Sequence, residues 1–110
     1  MHKIYSNISG ELIHIIHRKS EIKKSRVDII PEDNFLQLAV LKMENGKTFR
    51  PHKHKYKPIK YDKAIAQESW VVLQGRVRCI LYDIDDTIIS QPILESGDAS
   101  ITLGGGHTFE

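Results

Sequence analysis

Residues 68–103 read ESWVVLQGRVRCILYDIDDTIISQPILESGDASITL, a series of short apolar runs separated by turn residues. The turns are Gln74-Gly75, Asp85-Asp86 and Ser96-Gly97-Asp98. Short β-rich runs with turn signals every 8–12 residues or so predict an antiparallel sandwich or barrel. Strands do not alternate with helical segments, so a parallel sheet is not expected.

The composition of the whole chain agrees with an all-β domain. Among the 110 residues are 16 Ile, 8 Leu and 5 Val, and isoleucine packs well on a pleated sheet. A chain of this length supports one hydrophobic core and therefore one domain. The single cysteine, Cys79, excludes an internal disulfide and cysteine-based zinc clusters, and we interpret it as an inert core thiol. No apolar run approaches the roughly 18 residues of a membrane span, and no secretory signal is recognisable, so a cytoplasmic protein is expected.

The sequence pattern is clear from Phe35 onward and ambiguous before it. Residues 35–43, FLQLAVLKM, predict a strand that ends at the turn Glu44-Asn45-Gly46. The pattern of residues 7–26 does not distinguish a short helix from a strand. His14 and His17 stand three residues apart and would share a helical face, and we interpret them as surface histidines without a metal.

Charge is concentrated in residues 42–63, which carry about +6, whereas the whole chain carries only +2. This basic segment predicts a solvated loop. The alternative is a positive rim that attracts an anionic ligand. Nucleic acid is not the expected partner, because no recognised binding module surrounds the segment.

His52 and His54 lie within this basic segment, in the sequence PHKH. In an extended chain, residues two apart project to the same side, so the two imidazoles form a potential half-site for a divalent cation. On their own they favour two solvent-exposed histidines over a metal site.

The surrounding spacing changes the interpretation. Five residues separate Gly46 from His52, six separate Glu68 from Gly75, and Gly97-Asp98 leads through a short strand to His107. This ordered set resembles the two motifs of the cupin superfamily, and the stretches around Glu68 and Gly97 look closest to small single-domain bacterial cupins, some associated with surface-polysaccharide synthesis. The resemblance implies one domain over residues 1–110, an antiparallel double-stranded β-helix (a jelly-roll barrel). Residues 35–110 form the barrel with both motifs, and residues 1–34 form an N-terminal extension with edge elements.

Carried over by position, the resemblance makes His52, His54, Glu68 and His107 ligands of one divalent transition metal, Fe, Mn, Ni or Zn. It implies an oxygenase, isomerase or lyase acting on a small anionic or carbohydrate-derived substrate. Glu68 would be catalytic, alternating between metal ligand and proton acceptor. Arg50 and Lys53 would guide the anion, and Trp70 would form a wall of the substrate pocket.

The chain departs from the cupin pattern in three ways. Thirteen residues separate His54 from Glu68, so residues 55–67 are expected to form a loop and a candidate lid. The second motif has Leu103 in place of proline, followed by Gly104-Gly105-Gly106. The sequence stops three residues after His107, where cupin barrels continue for about two strands. We therefore expect either a truncated product or a barrel closed by the N-terminal segment or by a partner subunit, which favours a homodimer.

Two other functions are compatible with the same residues. One is a cupin that binds a metal or sugar ligand without turning it over. The other is a metal-independent sugar isomerase or epimerase in which a histidine acts as the base. The first predicts tight retention of a ligand, and the second predicts activity that survives chelators.

Overall fold

A computed structural model describes residues 1–48, 50–54 and 65–110. Within these residues the chain forms β-strands and one 3₁₀ turn at Lys19–Glu21, with no α-helix. The strands in this part are β1 (His2–Tyr5), β2 (Leu12–His17), β3 (Arg26–Asp28), β4 (Ala39–Leu41), β5 (Glu68–Val71), β6 (Arg76–Tyr82), β7 (Ile88–Ser90), β8 (Ile93–Glu95), β9 (Ala99–Thr102) and β10 (Gly106–Phe109). Every pairing between them is antiparallel. The prediction of an all-β, antiparallel fold is confirmed.

The strands form separate sheets. The first has the order β1-β2-β9-β5. In the second, β6 is central and pairs with β10, β7 and β8. The hairpin of β3 and β4 stands apart from both. No closed barrel is found among residues 1–48, 50–54 and 65–110, so the jelly-roll barrel remains a prediction.

The turns between the C-terminal strands lie where the sequence places them. Gln74-Gly75 joins β5 to β6, Asp85-Asp86 lies between β6 and β7, and Ser96-Gly97-Asp98 joins β8 to β9. Gly97 has a φ of +90°, and a Cβ atom there would lie 2.6 Å from the Lys19 side chain. Glycine is needed at this turn for both reasons.

Two hydrophobic clusters cover the two faces of the first sheet. The inner cluster lies between the two larger sheets and contains Ile4, Ile16, Val72, Cys79, Leu81 and Leu94. The outer cluster lies under the β3–β4 hairpin and its neighbouring loop and contains Ile15, Ile29, Ile30, Ala99, Ile101 and Leu103. Ile15 and Ile16 are neighbours in β2 and enter different clusters. Because both faces of β2 are buried, its sequence LIHIIH does not alternate between apolar and polar residues.

The predicted strand over residues 35–43 is mostly irregular. Only Ala39–Leu41 is a strand, and Phe35 is 77% exposed. The reason lies just upstream, where the Asn34 backbone N–H donates to the Pro31 carbonyl and turns the chain. Leu36 and Leu38 still pack on the outer cluster. Of the residues assigned to an N-terminal extension, β1 and β2 belong to the first sheet, where β2 is an inner strand.

Candidate functional site

Three polar residues form a row across the inner face of the first sheet. In the ladder, Glu68 of β5 is opposite Thr102 of β9, and Thr102 is opposite His14 of β2. Residues directly opposite each other in a sheet project from the same face. This face is the inner one, because Ile16, two residues from His14, belongs to the inner cluster.

The second sheet brings His107 to the same place. His107 of β10 is opposite Leu81 in the ladder, and Leu81 is fully buried in the inner cluster. His107 therefore faces inward, and its Nε2 atom lies 3.6 Å from Oε2 of Glu68. The Glu68 side chain is 66% exposed and that of His107 is 20% exposed. The pair thus lies where the space between the two sheets opens to solvent.

A second contact joins the same two strands. Trp70 and Phe109 lie two residues beyond Glu68 and His107, and their ring centroids are 5.4 Å apart. The indole N–H of Trp70 is buried and has no hydrogen-bond partner among the described residues. Buried polar groups normally have partners. Trp70 thus packs on the inner cluster with one donor that no described residue satisfies.

His14 is fully buried behind this pair. Its Nε2 lies 2.9 Å from the Tyr82 carbonyl oxygen, and its Nδ1 lies 3.1 Å from the Thr102 hydroxyl. A carbonyl oxygen only accepts, so Nε2 carries the hydrogen and a neutral ring accepts the hydroxyl at Nδ1. Burial lowers the pKa of His14, and repulsion from His107 lowers it further, against the raising effects of the Tyr82 carbonyl and of Asp83. The ring is therefore neutral at pH 7.

The glycine turn before His107 makes room for this arrangement. Gly105 has a φ of +73°, and a Cβ atom there would lie closer than 3.0 Å to the Tyr82 carbonyl oxygen and 3.3 Å from Nε2 of His14. The turn therefore needs glycine at this position to keep the hydrogen bond from His14 to Tyr82. This packing explains the central one of the three glycines that depart from the cupin pattern.

The interpretation of His14 and His17 as surface histidines is wrong, and the choice between helix and strand is settled as strand. Both lie in strand β2, where a separation of three places them on opposite faces, and both are buried. The available signal was the run of isoleucines around them, Ile13, Ile15 and Ile16, which is typical of a strand covered on both faces. Sequence reasoning missed His14 as a member of the inner row.

The predicted metal ligands fall into two pairs. Glu68 and His107 form the pair described above. His52 and His54 are exposed, and their rings stack with centroids 5.6 Å apart and an interplanar angle of 15°. Arg50 and Lys53, beside them, are also exposed. No group of three or more His, Cys, Asp or Glu side chains is arranged to hold a metal among residues 1–48, 50–54 and 65–110. The four-ligand site thus stays a prediction.

Most of the predicted lid, residues 55–64, lies outside the described residues. Its last three residues are described, and the side chain of Gln67 accepts a hydrogen bond from the backbone of Leu36 at 3.1 Å. Burial differs between Cys79, Tyr82 and Phe109. Cys79 is fully buried and burial raises the pKa of its thiol, as expected for an inert residue. Tyr82 is half-buried, whereas Phe109 is 61% exposed.

Comparisons with protein families, with curated proteins and with solved structures find no match to this chain. Among the described residues, no helix has both the length and the apolar character that crossing a membrane requires.

Proposed function

We propose that this protein is a metal-binding cupin that acts on a small anionic or carbohydrate-derived substrate. The observation that carries the proposal is the convergence of Glu68 and His107, 39 residues apart in the sequence, at 3.6 Å across two sheets. His52 and His54 would supply the other two ligands of a divalent transition metal.

The distance between Glu68 and His107 supports a shared cation. A direct N–H···O hydrogen bond spans about 2.7–3.2 Å, so the observed 3.6 Å is too long for one. Two ligand atoms at bond lengths of about 2.1 Å and angles of 90–110° lie roughly 3.0–3.4 Å apart around one ion. The observed separation is within a few tenths of an ångström of that range. The pair therefore fits two adjacent ligand positions.

When bound, a divalent metal supplies Lewis-acid stabilisation of an enolate or alkoxide oxygen, and iron also supplies reactivity toward dioxygen. The chain's own groups have separate roles. The exposed carboxylate of Glu68 accepts a proton from a substrate at the mouth of the site. Trp70 forms a wall of the substrate pocket, and Arg50 and Lys53 attract the anion. These roles are compatible with an oxygenase, an isomerase or a lyase.

A metal-independent isomerase or epimerase is the second candidate, and the same pair favours it. A carboxylate beside an imidazole is the arrangement of a general base once the pair closes from 3.6 Å to a hydrogen bond on substrate binding. Here Glu68 would orient His107, and the neutral His14 behind it would add no competing charge. A protein that binds a ligand without turning it over is the third candidate function.

Metal analysis of the purified protein tests the proposal. The untagged protein is expected to carry one divalent metal per chain by elemental analysis, and Glu68→Gln and His107→Asn are expected to lose most of it. Glu95→Gln is the matched control, because Glu95 is also an exposed strand glutamate, paired with Arg76 in the second sheet. Variants that keep the wild-type metal content would contradict the site. A metal-free protein whose substrate turnover is unaffected by a chelator would favour the second candidate.

A further inference from the structure

A cleft lies on the outer face of the first sheet, away from Glu68 and His107. It has a volume of about 450 Å³ and is lined in part by His17, Glu21, Lys23, Lys24 and Arg26. His17 is the last residue of β2, three residues from His14 and on the opposite face of the strand. At about 3.3 Å per residue the two histidines are about 10 Å apart along the strand. The two sites are therefore separate.

His17 has a buried polar atom without a partner. The residue is 2% exposed, and its Nε2 atom has no hydrogen-bond partner among the described residues. Burial lowers the pKa of His17, repulsion from the amino group of Met1 lowers it further, and Asp98 opposes both. The ring is therefore neutral near pH 7 and can carry its hydrogen on Nε2. A buried donor of this kind calls for an acceptor.

Two lysines at the rim of the cleft carry positive charges that no described carboxylate pairs with. The carboxylate of Glu21 already accepts the backbone N–H of Arg18 at 2.7 Å and pairs with the amino group of Met1. Arg26 pairs with Asp28 at 2.7 Å. Lys23 and Lys24 are exposed and form no ion pair with any described residue.

We propose that this cleft binds a small phosphate-bearing ligand. His17 donates from Nε2 to a phosphate oxygen, and Lys23 and Lys24 neutralise its charge. An oxyanion fits because it offers an acceptor to the imidazole and a negative charge to the lysines. The volume lies in the range of small-molecule pockets, about 300–1,000 Å³, so a phosphomonoester with a short organic part is the expected ligand.

Nitrogen chemical shifts of the imidazoles test this directly. Inorganic phosphate and glycerol 3-phosphate are titrated separately into ¹⁵N-labelled protein with a chelator, at constant pH and constant ionic strength set with chloride. His17 Nε2 is expected to shift more than any other imidazole nitrogen and to saturate. Tighter binding of glycerol 3-phosphate is expected. Equal affinity for the two would overturn the assignment of an organic part, and a response no larger than that to chloride would overturn the site.

Paired variants locate the binding. Lys23→Ala with Lys24→Ala is expected to weaken binding at least about fivefold, since two charges are lost. Lys42→Ala with Lys47→Ala removes two exposed lysines elsewhere and is expected to change affinity less than about twofold. His17→Gln keeps a donor and His17→Phe removes it, so the first should bind better than the second. The lysine variants keep the test valid if His17→Phe does not fold.

The proposed function and this cleft fail independently. His107→Asn removes a predicted metal ligand and is expected to leave the phosphate affinity unchanged. Loss of phosphate binding in His107→Asn, or wild-type affinity in the Lys23 and Lys24 double variant, would refute the cleft as the binding site.

Discussion

Replacing Gly105 with alanine is expected to disturb the row formed by Glu68, Thr102 and His14 and to lower the free energy of unfolding. An alanine at φ +73° sits in the left-handed region, which costs about 1 kcal/mol. Its Cβ atom would also press on the Tyr82 carbonyl, which accepts the hydrogen bond from buried His14. Weakening a buried hydrogen bond costs a further 1–3 kcal/mol or so. The expected loss of unfolding free energy is about 2–4 kcal/mol.

Gly75→Ala is the matched control for this prediction. Gly75 has a φ of +89°, yet a Cβ atom there would meet nothing within 4 Å. It therefore isolates the backbone strain, about 1 kcal/mol, from the clash. Urea unfolding followed by circular dichroism measures both variants against wild type. A difference between the two variants below about 0.5 kcal/mol would refute the argument that Gly105 protects the His14–Tyr82 hydrogen bond.

Three further predictions concern the core and the sheet edges. Burial lowers the pKa of His14 and His17 below 6.5. As the pH drops below 6.5, the unfolded chain therefore takes up protons that the folded chain does not. The free energy of unfolding is expected to stay constant above pH 6.5 and to fall below it. Urea midpoints between about pH 8 and pH 5 measure this, and a flat profile would contradict it. Asp98→Asn is expected to lower the free energy of unfolding by about 3 kcal/mol. The buried carboxylate accepts hydrogen bonds from the Arg18 guanidinium and from the backbone N–H groups of Lys19 and Glu95. The control, Asp28→Asn at an exposed position, should leave the urea midpoint unchanged. Among the described strands β5 and β10 each pair on one edge only, so a homodimer is expected by sedimentation at micromolar concentration, and a monomer there would count against it.

Local patterns predicted the strands best where specific turn residues bounded them. Gln74-Gly75, Asp85-Asp86 and Ser96-Gly97-Asp98 mark turns through their own backbone preferences, which act within a few residues. The same reasoning failed for β2, because its periodicity is erased when both faces are buried. It also failed for residues 35–38, where a turn at Pro31–Asn34 and packing on the outer cluster replace the expected strand.

The residues of the candidate site also differ in how well they could be predicted from the sequence. Glu68 was selected by its distance from Gly75 and His107 by its position after Gly97-Asp98, and the structure brings these two side chains together at 3.6 Å. His14 was marked only by its flanking isoleucines, and its role depends on the Tyr82 carbonyl 68 residues away. The contribution of His52 and His54 stays a prediction. They lie in an exposed segment, and among the described residues no group of three side chains is arranged to hold a metal.

What the amino-acid order determined by itself is the antiparallel β class and its C-terminal turns, because strand propensity and turn chemistry are short-range properties. Only the tertiary structure decided which faces are inner ones. The stacking of the two larger sheets turns Glu68 toward His107, and the covering of the outer face by residues 26–41 buries β2 on both sides. These outcomes depend on contacts between segments far apart in the chain, which no local pattern records.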